Sequence, residues 1–374
     1  MGDAGLQATL RRVFGNRRSS AGESFLAVDG LRGLAVLLVL LGHIYRGGVA
    51  VFPKLTMLAA GASGVELFFV LSSFLLSSPL IAASPSALRS AGTWGTYAAR
   101  RLLRIYPLYV VVLLVGTSDP AWSLALFGPR EVSIVDHLTW QQGAKIMWAI
   151  PVEMKFYVLL PVLAVALAWA LRRSAALALL LVAAMLATSA MLVPPRAPGP
   201  PPILLAPQLP YFVSGLAAAV VHRLWRPTTT GARVLLDFAG WSALALWASA
   251  NVFALAPAWA APSQEPVWRG LTLALITLAA VDARLGLSAV FRLAPLRFLG
   301  VISFSVYLLH MPIVESLRKV ADWSDVTKTV AIVSAVCVLS TVSYLLIELP
   351  FIEVGRRLSR RTGRAEDHSS SMPL

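Results

Sequence analysis

The sequence predicts an all-helical, polytopic membrane protein with about ten transmembrane helices and both termini in the cytoplasm. Three observations predict it. Of 374 residues, 57% are hydrophobic and 13% charged, whereas a soluble domain carries roughly a quarter charged residues. Ten apolar runs are long enough, or nearly so, to cross about 30 Å of hydrocarbon. Basic residues gather in alternate connections between the runs, the bias of short cytoplasmic loops.

Residues 1–24, with Arg11, Arg12, Arg17 and Arg18, lack the apolar core and cleavage site of a signal peptide and read as a basic cytoplasmic segment. The first run, 28–46, carries both Arg32 and His43. At about 100° per residue their spacing returns them to nearly one helical face, roughly 16 Å apart along the axis. The second run, 57–80, holds Glu66, and Arg89, Arg100 and Arg101 follow it. The third, 102–117, is short and interrupted by Pro107 and Gly116. Stretch 118–147 has a brief apolar piece, Ala121 to Phe127, and then Gly128, Pro129, Arg130, Glu131, Asp136 and His137. It is placed outside the bilayer, either partly re-entrant or wholly extracytoplasmic. Runs 149–171 and 174–193 meet at Arg172 and Arg173; runs 203–222 and 234–256 are joined through Arg223, Arg226 and Arg233. Runs 267–284 and 298–316 flank Arg284, Arg292 and Arg297. After 327–349 come Arg356, Arg357, Arg360, Arg361 and Arg364. The Pro-rich connections 194–202 and 257–266 fall on the opposite side and are poor in positive charge, though Arg318 and Lys319 there are an exception. The transmembrane domain is thus expected over 25–353, and the basic, serine-rich 354–374 as a disordered cytoplasmic tail.

Several classes are disfavoured. A net charge of +14 suits nucleic acid only when it forms one continuous soluble face, and here it is split into short clusters. A single cysteine, Cys337, excludes an intrachain disulfide. No fixed-period repeat and no pair of matched halves with interrupted helices is visible, as many transporters would show.

Ionisable groups inside a membrane are costly and mark function or buried pairing. By depth, His43, Glu66, Glu153 in MWAIPVEMKFY and His310 in SFSVYLLHMP share one outer level. Arg32, Arg100, Arg101 and Arg104 form a basic inner rim, with Glu348 at the inner end of the last run. Arginines grip phosphates through forked, charge-assisted bonds. A neutral imidazole can take a proton from an attacking hydroxyl, and a carboxylate can fix its tautomer. The layout suits group transfer from an anionic cytoplasmic donor without naming the group.

The segments LAVDGLRGLAVLLVLLGH, GVELFFVLSSFLL, ARRLLRIYPLY, WAIPVEMKFYVLLP, LPYFVSGLAAAV, LGVISFSVYLLHMP and SYLLIELP together resemble the acyltransferase-3 family of integral membrane O-acyltransferases, in family order over roughly 25–350. The resemblance implies a ten-helix plasma-membrane enzyme moving an acyl group, most often acetyl, from cytoplasmic acyl-CoA. The acceptor is a hydroxyl of a saccharide, glycolipid or secondary metabolite such as a macrolide. It implies His43 as the catalytic histidine, with Glu153 matching the motif glutamate, and Arg32, Arg101 and Arg104 on the donor side. Glu66, Trp148, Tyr157 and His310 are expected at the acceptor. The chain departs from the family pattern at Ser73, Ala149 and Lys155, where glycine, serine and glutamine are usual.

Each residue also has a plainer reading. Arg32 could snorkel to headgroups, and the Arg100, Arg101 and Arg104 cluster follows from topology alone. Glu153 could complement a helix dipole, Glu66 could pair with a buried cation, and Trp148 and Tyr157 could anchor at the interface. Glu348 reads as an end-of-helix ion-pair partner; His137 and His222 read as loop or interface histidines. No ligand-like His/Cys/Asp spacing predicts a metal. The rival class is a proton-coupled multi-pass transporter, which would also bury His, Glu and Arg.

Overall fold

A computed structural model describes residues 26–50, 57–129, 132–193, 203–253 and 265–370. The expected basic segment 1–24, the connection 194–202, most of 257–266, and Arg130 with Glu131 lie outside these. Among the described residues the chain is helical, with no strand. The helices are α1 Leu26–Arg46, α2 Ala60–Ala82, α3 Pro85–Arg89, α4 Ala91–Ser118, α5 Pro120–Leu126, α6 Ile134–Leu138, α7 Ala149–Arg173 and α8 Ala175–Met191. There follow α9 Leu209–Leu224, α10 Thr230–Trp247, α11 Pro266–Leu278, α12 Gly286–Phe291, α13 Ala294–Val301, α14 Ser303–Leu317, α15 Asp325–Ser343 and α16 Leu349–Ser370.

Helix occupies every one of the ten apolar runs. Among the described residues, five helices are long and apolar enough to cross a membrane: α1, α2, the Lys145–Arg173 stretch, Pro266–Ala283 and Asp325–Ser359. The α13–α14 pair, bent by 79°, makes a sixth if taken as one span. The others fall short for visible reasons. Helix α8 has 17 residues, and α4 carries Arg100, Arg101 and Arg104 in its middle. Helix α4 also begins well before the expected run, because the Ser90 hydroxyl accepts from Gly92 N and Thr93 N and caps it at Ala91.

Helix α1 runs through the centre. Small residues let its backbone touch its neighbours, which is how helices associate where lipid removes the hydrophobic drive. A Cβ on Gly300 of α13 would sit 1.8 Å from the Asp29 carbonyl oxygen, and one on Gly64 of α2 would sit 2.4 Å from that of Ala35. These contacts fix α13 against the start of α1 and α2 against its middle. The bend at Ile302 then turns α14 along α1 toward His43.

Stretch 118–147 folds as the two short helices α5 and α6 and a turn at Lys145–Trp148 that leads into α7. Asp119 caps α5 by accepting from Trp122 N, and Leu126, Phe127 and His137 are buried beneath it. Burial pushes the His137 imidazole below its ordinary range, against the raising effect of its bond to the Ser133 carbonyl. Beyond Glu353, where disorder is expected, helix α16 continues to Ser370. Its first turns are held by apolar packing of Leu349 and Ile352 and by Gly355 lying against Arg100.

Candidate active site

Two cavities open at opposite ends of α1. The first, of about 580 Å³, is lined by Arg32, Arg100, Arg101, Arg104 and Arg356, with Asp29 and Tyr97 among its other walls. The three arginines expected at the donor therefore meet in one basic chamber. Arg104 Nη1 lies 2.9 Å from Glu348 Oε2, the end-of-helix ion pair the sequence suggests. Glu348 reaches it from a π-helical turn at Tyr344–Glu348, a device common at functional sites, and accepts from the Ser305 hydroxyl. Arg32 Nη2 donates to Ser303 Oγ over 3.0 Å, at the first residue after the bend. The Nε atoms of Arg32 and Arg101 are buried without a hydrogen-bond partner. Buried guanidinium N–H groups left open in this way fit an anionic ligand.

The second cavity, of about 610 Å³, is lined by His43, Trp148, Tyr307 and Met311, and by the charged Arg46, Lys145, Glu315 and Arg318. His43 and His310 stand ring to ring, centroids 4.9 Å apart. His43 Nδ1 is 2.8 Å from the Val39 carbonyl oxygen, and His310 Nδ1 is 2.8 Å from that of Tyr307. A carbonyl can only accept, so each neutral ring carries its proton on Nδ1 and keeps a lone pair on Nε2. The His310 lone pair faces His43 Nδ1 at 3.3 Å, so His43 Nδ1–H is shared between Val39 and His310. His43 Nε2 makes no hydrogen bond among the described residues.

The common level of four ionisable groups divides into separate partnerships. His310, expected at the acceptor, is fully buried and stands behind His43. Glu66 faces away from the histidines toward α9 and α11, because α2 packs on both. Its Oε1 lies 3.0 Å from Arg269 Nη1 and accepts from Tyr211 Oη at 2.9 Å, so Glu66 is a buried ion-pair partner and does not line the His43 cavity. Glu153, at the start of α7, accepts from Ser72 at 2.7 Å and from Tyr157 at 2.5 Å. No hydrogen bond joins it to His43 among the described residues. Tyr157 turns toward the arginine side, its ring centroid 5.9 Å from Arg101 Cζ, because it sits one turn beyond Glu153 and is buried by Tyr97, whose hydroxyl donates to the Tyr157 carbonyl. Trp148 remains at the cavity, braced edge-on by Phe69.

Residues that sequence reading left aside are Arg46, Lys145 and Tyr307 on the second cavity, and the hydroxyls of Ser72, Ser303 and Ser305. Ser303 and Ser305 stand in the SFSVYLLHMP motif, which was the available signal. His222 is a buried partner of Asp282, at 2.8 Å from its Oδ2. Among the described residues no group of three His, Cys, Asp or Glu is placed to hold a metal ion.

A family model for the acyltransferase domain of the acyltransferase-3 type matches residues 25–348. The peptidoglycan O-acetyltransferase OatA of Listeria monocytogenes serovar 1/2a (strain ATCC BAA-679 / EGD-e) is 24% identical over 363 residues, covering 88% of this chain. BcsY of Komagataeibacter xylinus, a protein that carries the name membrane-bound transacylase, is 26% identical over 343 residues, covering 86% of this chain. The chain spans 56% of the length of the Listeria protein and 81% of the Komagataeibacter protein. No solved structure matches it.

Proposed function

The chain belongs to the acyltransferase-3 family of integral membrane proteins, and on that premise we propose that it transfers an acyl group, most simply acetyl, from acyl-CoA to a hydroxyl of a glycan, glycolipid or small metabolite. The observation that carries the reading is the position of His43. Its Nε2 lone pair is unengaged at a cavity on one end of α1, while Arg32 on the same helix lines the basic cavity at the other.

The arginine chamber is the donor site. Arg32, Arg101 and Arg104 would take the phosphates of CoA, with Tyr97 on the same wall and Tyr157 linking Arg101 to Glu153. About 16 Å separates Arg32 from His43 along the axis, so the donor lies extended, with its thioester toward His43. The acceptor enters by the His43 cavity, with Trp148 as a platform. His43 Nε2 removes the hydroxyl proton as the oxygen attacks the thioester carbon. The new C–O bond forms, the C–S bond breaks, and the proton passes from the imidazolium to the leaving thiolate. The developing positive charge is stabilised through Nδ1–H by Val39 O and by the His310 lone pair, a role an aspartate fills in hydrolytic triads. His310 is thus a positioning residue, and Glu153 holds Ser72 and Tyr157 in place. Residues 25–353 form the ten-span transferase domain in the plasma membrane, with the arginine chamber, segment 1–24 and tail 354–374 all cytoplasmic.

Thiol release from acetyl-CoA by the purified protein tests this, with His43→Ala beside the wild type. Equal turnover by the two proteins rejects the mechanism, and solute flux without any turnover points to transport. A single stoichiometric burst of thiol in the absence of acceptor would assign a covalent acyl-enzyme relay instead of direct attack.

A further inference from the structure

We infer that the acceptor is anionic, a hydroxylated molecule carrying a phosphate or carboxylate that Arg46 and Lys145 receive beside His43. The inference rests on the acyl-transfer reading and concerns the mouth of the second cavity.

Four charged side chains line that cavity: Arg46, Lys145, Arg318 and Glu315. Arg318 is spoken for, its Nε and Nη2 lying 2.8 and 2.7 Å from Glu315 Oε2. Arg46 and Lys145 have no carboxylate partner among the described residues, so the wall carries two uncompensated positive charges. Both are held in place by backbone carbonyls. Arg46 Nη2 donates to Leu58 O at 2.9 Å, and Lys145 Nζ donates to Leu124 O at 2.7 Å. Lys145 Nζ also donates to Ala125 O at 3.3 Å, so among the described residues it keeps one free N–H of its three, and Arg46 keeps several of its five. The Lys145 backbone takes φ +43°, a left-handed conformation that costs a non-glycine residue energy and tends to persist where function requires it.

Topology adds an independent argument. In the proposed orientation this mouth is extracytoplasmic, where lysine and arginine run against the positive-inside bias. Two such cations fixed on one cavity are explained by a ligand of opposite charge. Trp148 and Tyr307 on the same wall supply flat surface for a sugar ring next to the anion.

The test reads occupancy directly. Diethyl pyrocarbonate modifies a neutral imidazole nitrogen, and peptide mass spectrometry locates the product at His43. The protein is held in phosphatidylcholine nanodiscs. One arm titrates glucose 6-phosphate, glucuronate and glucose; a second titrates phosphatidylglycerol and a neutral monoglucosyl diacylglycerol within the disc, which separates soluble from lipid anions. We expect the anionic member of an arm to half-protect His43 at about five- to tenfold lower concentration than its neutral counterpart. In Arg46→Gln/Lys145→Gln that difference is lost, while the variant keeps the wild-type thermal unfolding temperature and so an intact fold. Equal protection by charged and neutral ligands, or protection by none, overturns the inference. Absence of acetyl-CoA turnover alongside a retained anion preference rejects the acyl-transfer reading and leaves the anion site standing.

Discussion

His310 Nε2 lies 3.3 Å from His43 Nδ1, and each Nδ1 is anchored to a carbonyl of its own helix. The pair defines which nitrogen of His43 is basic and what supports it once protonated. Replacing His43 with alanine is expected to lower kcat by at least about 100-fold, read as thiol release with saturating donor. His310→Phe fills the space without a lone pair. It is expected to lower kcat by about tenfold or more with the donor KM unchanged; an equal rise in KM instead would place His310 in ligand binding.

Arg101 and Arg104 line the same chamber but have different duties. Arg101→Ala removes an N–H fork with no carboxylate partner in view and is expected to raise the acyl-CoA KM several-fold with little change in thermal stability. Arg104→Ala also strands Glu348, which is 1% exposed. Breaking a buried pair costs roughly 3–5 kcal/mol, and the 21% exposure of Arg104 puts the loss near the low end. Arg104→Ala/Glu348→Gln is expected to regain stability without regaining donor affinity, measured by thermal unfolding in detergent and by donor titration.

Glu66 and Arg269 provide the contrasting case. Glu66→Ala leaves the Arg269 guanidinium, 12% exposed, without its partner and is expected to lower the unfolding temperature. The double replacement Glu66→Leu/Arg269→Leu is expected to restore most of it, with turnover per folded molecule near wild type. Loss of turnover in a stable double variant would return Glu66 to the acceptor site.

Gly300→Ala would force a methyl to 1.8 Å from the Asp29 carbonyl oxygen. Backbone faces backbone there, so no side chain can yield. The substitution is expected to cost at least about 1–3 kcal/mol, seen as a reduced monodisperse fraction in size-exclusion chromatography. Gly95→Ala, with open space around it, is the matched control.

The apolar runs were legible because some twenty predominantly apolar residues in a row have few alternatives, and each contains helix in the structure. The convergence of Arg32, Arg101 and Arg104 was legible for a related reason: topology and spacing put all three at the cytoplasmic end of their expected apolar runs. Pairings that depend on the azimuth of a side chain were not. Depth alone put Glu66 beside His43, yet α2 directs it toward Arg269 and Tyr211. Tyr157 was expected at the acceptor together with Trp148, and its position one turn past Glu153 sends it to Arg101. Glu348 reaches Arg104 from a π turn, a local change of helical period that residue types do not announce. The helical course of 354–370 was hidden by its polar composition.

The 79° elbow at Ile302 makes α14 a common strut. Its first residue, Ser303, holds Arg32, and His310, two turns along, backs His43. A rigid tilt of this one rod shifts both attachment points together, so whatever seats or unseats the guanidinium at one doorway is felt by the imidazole at the other.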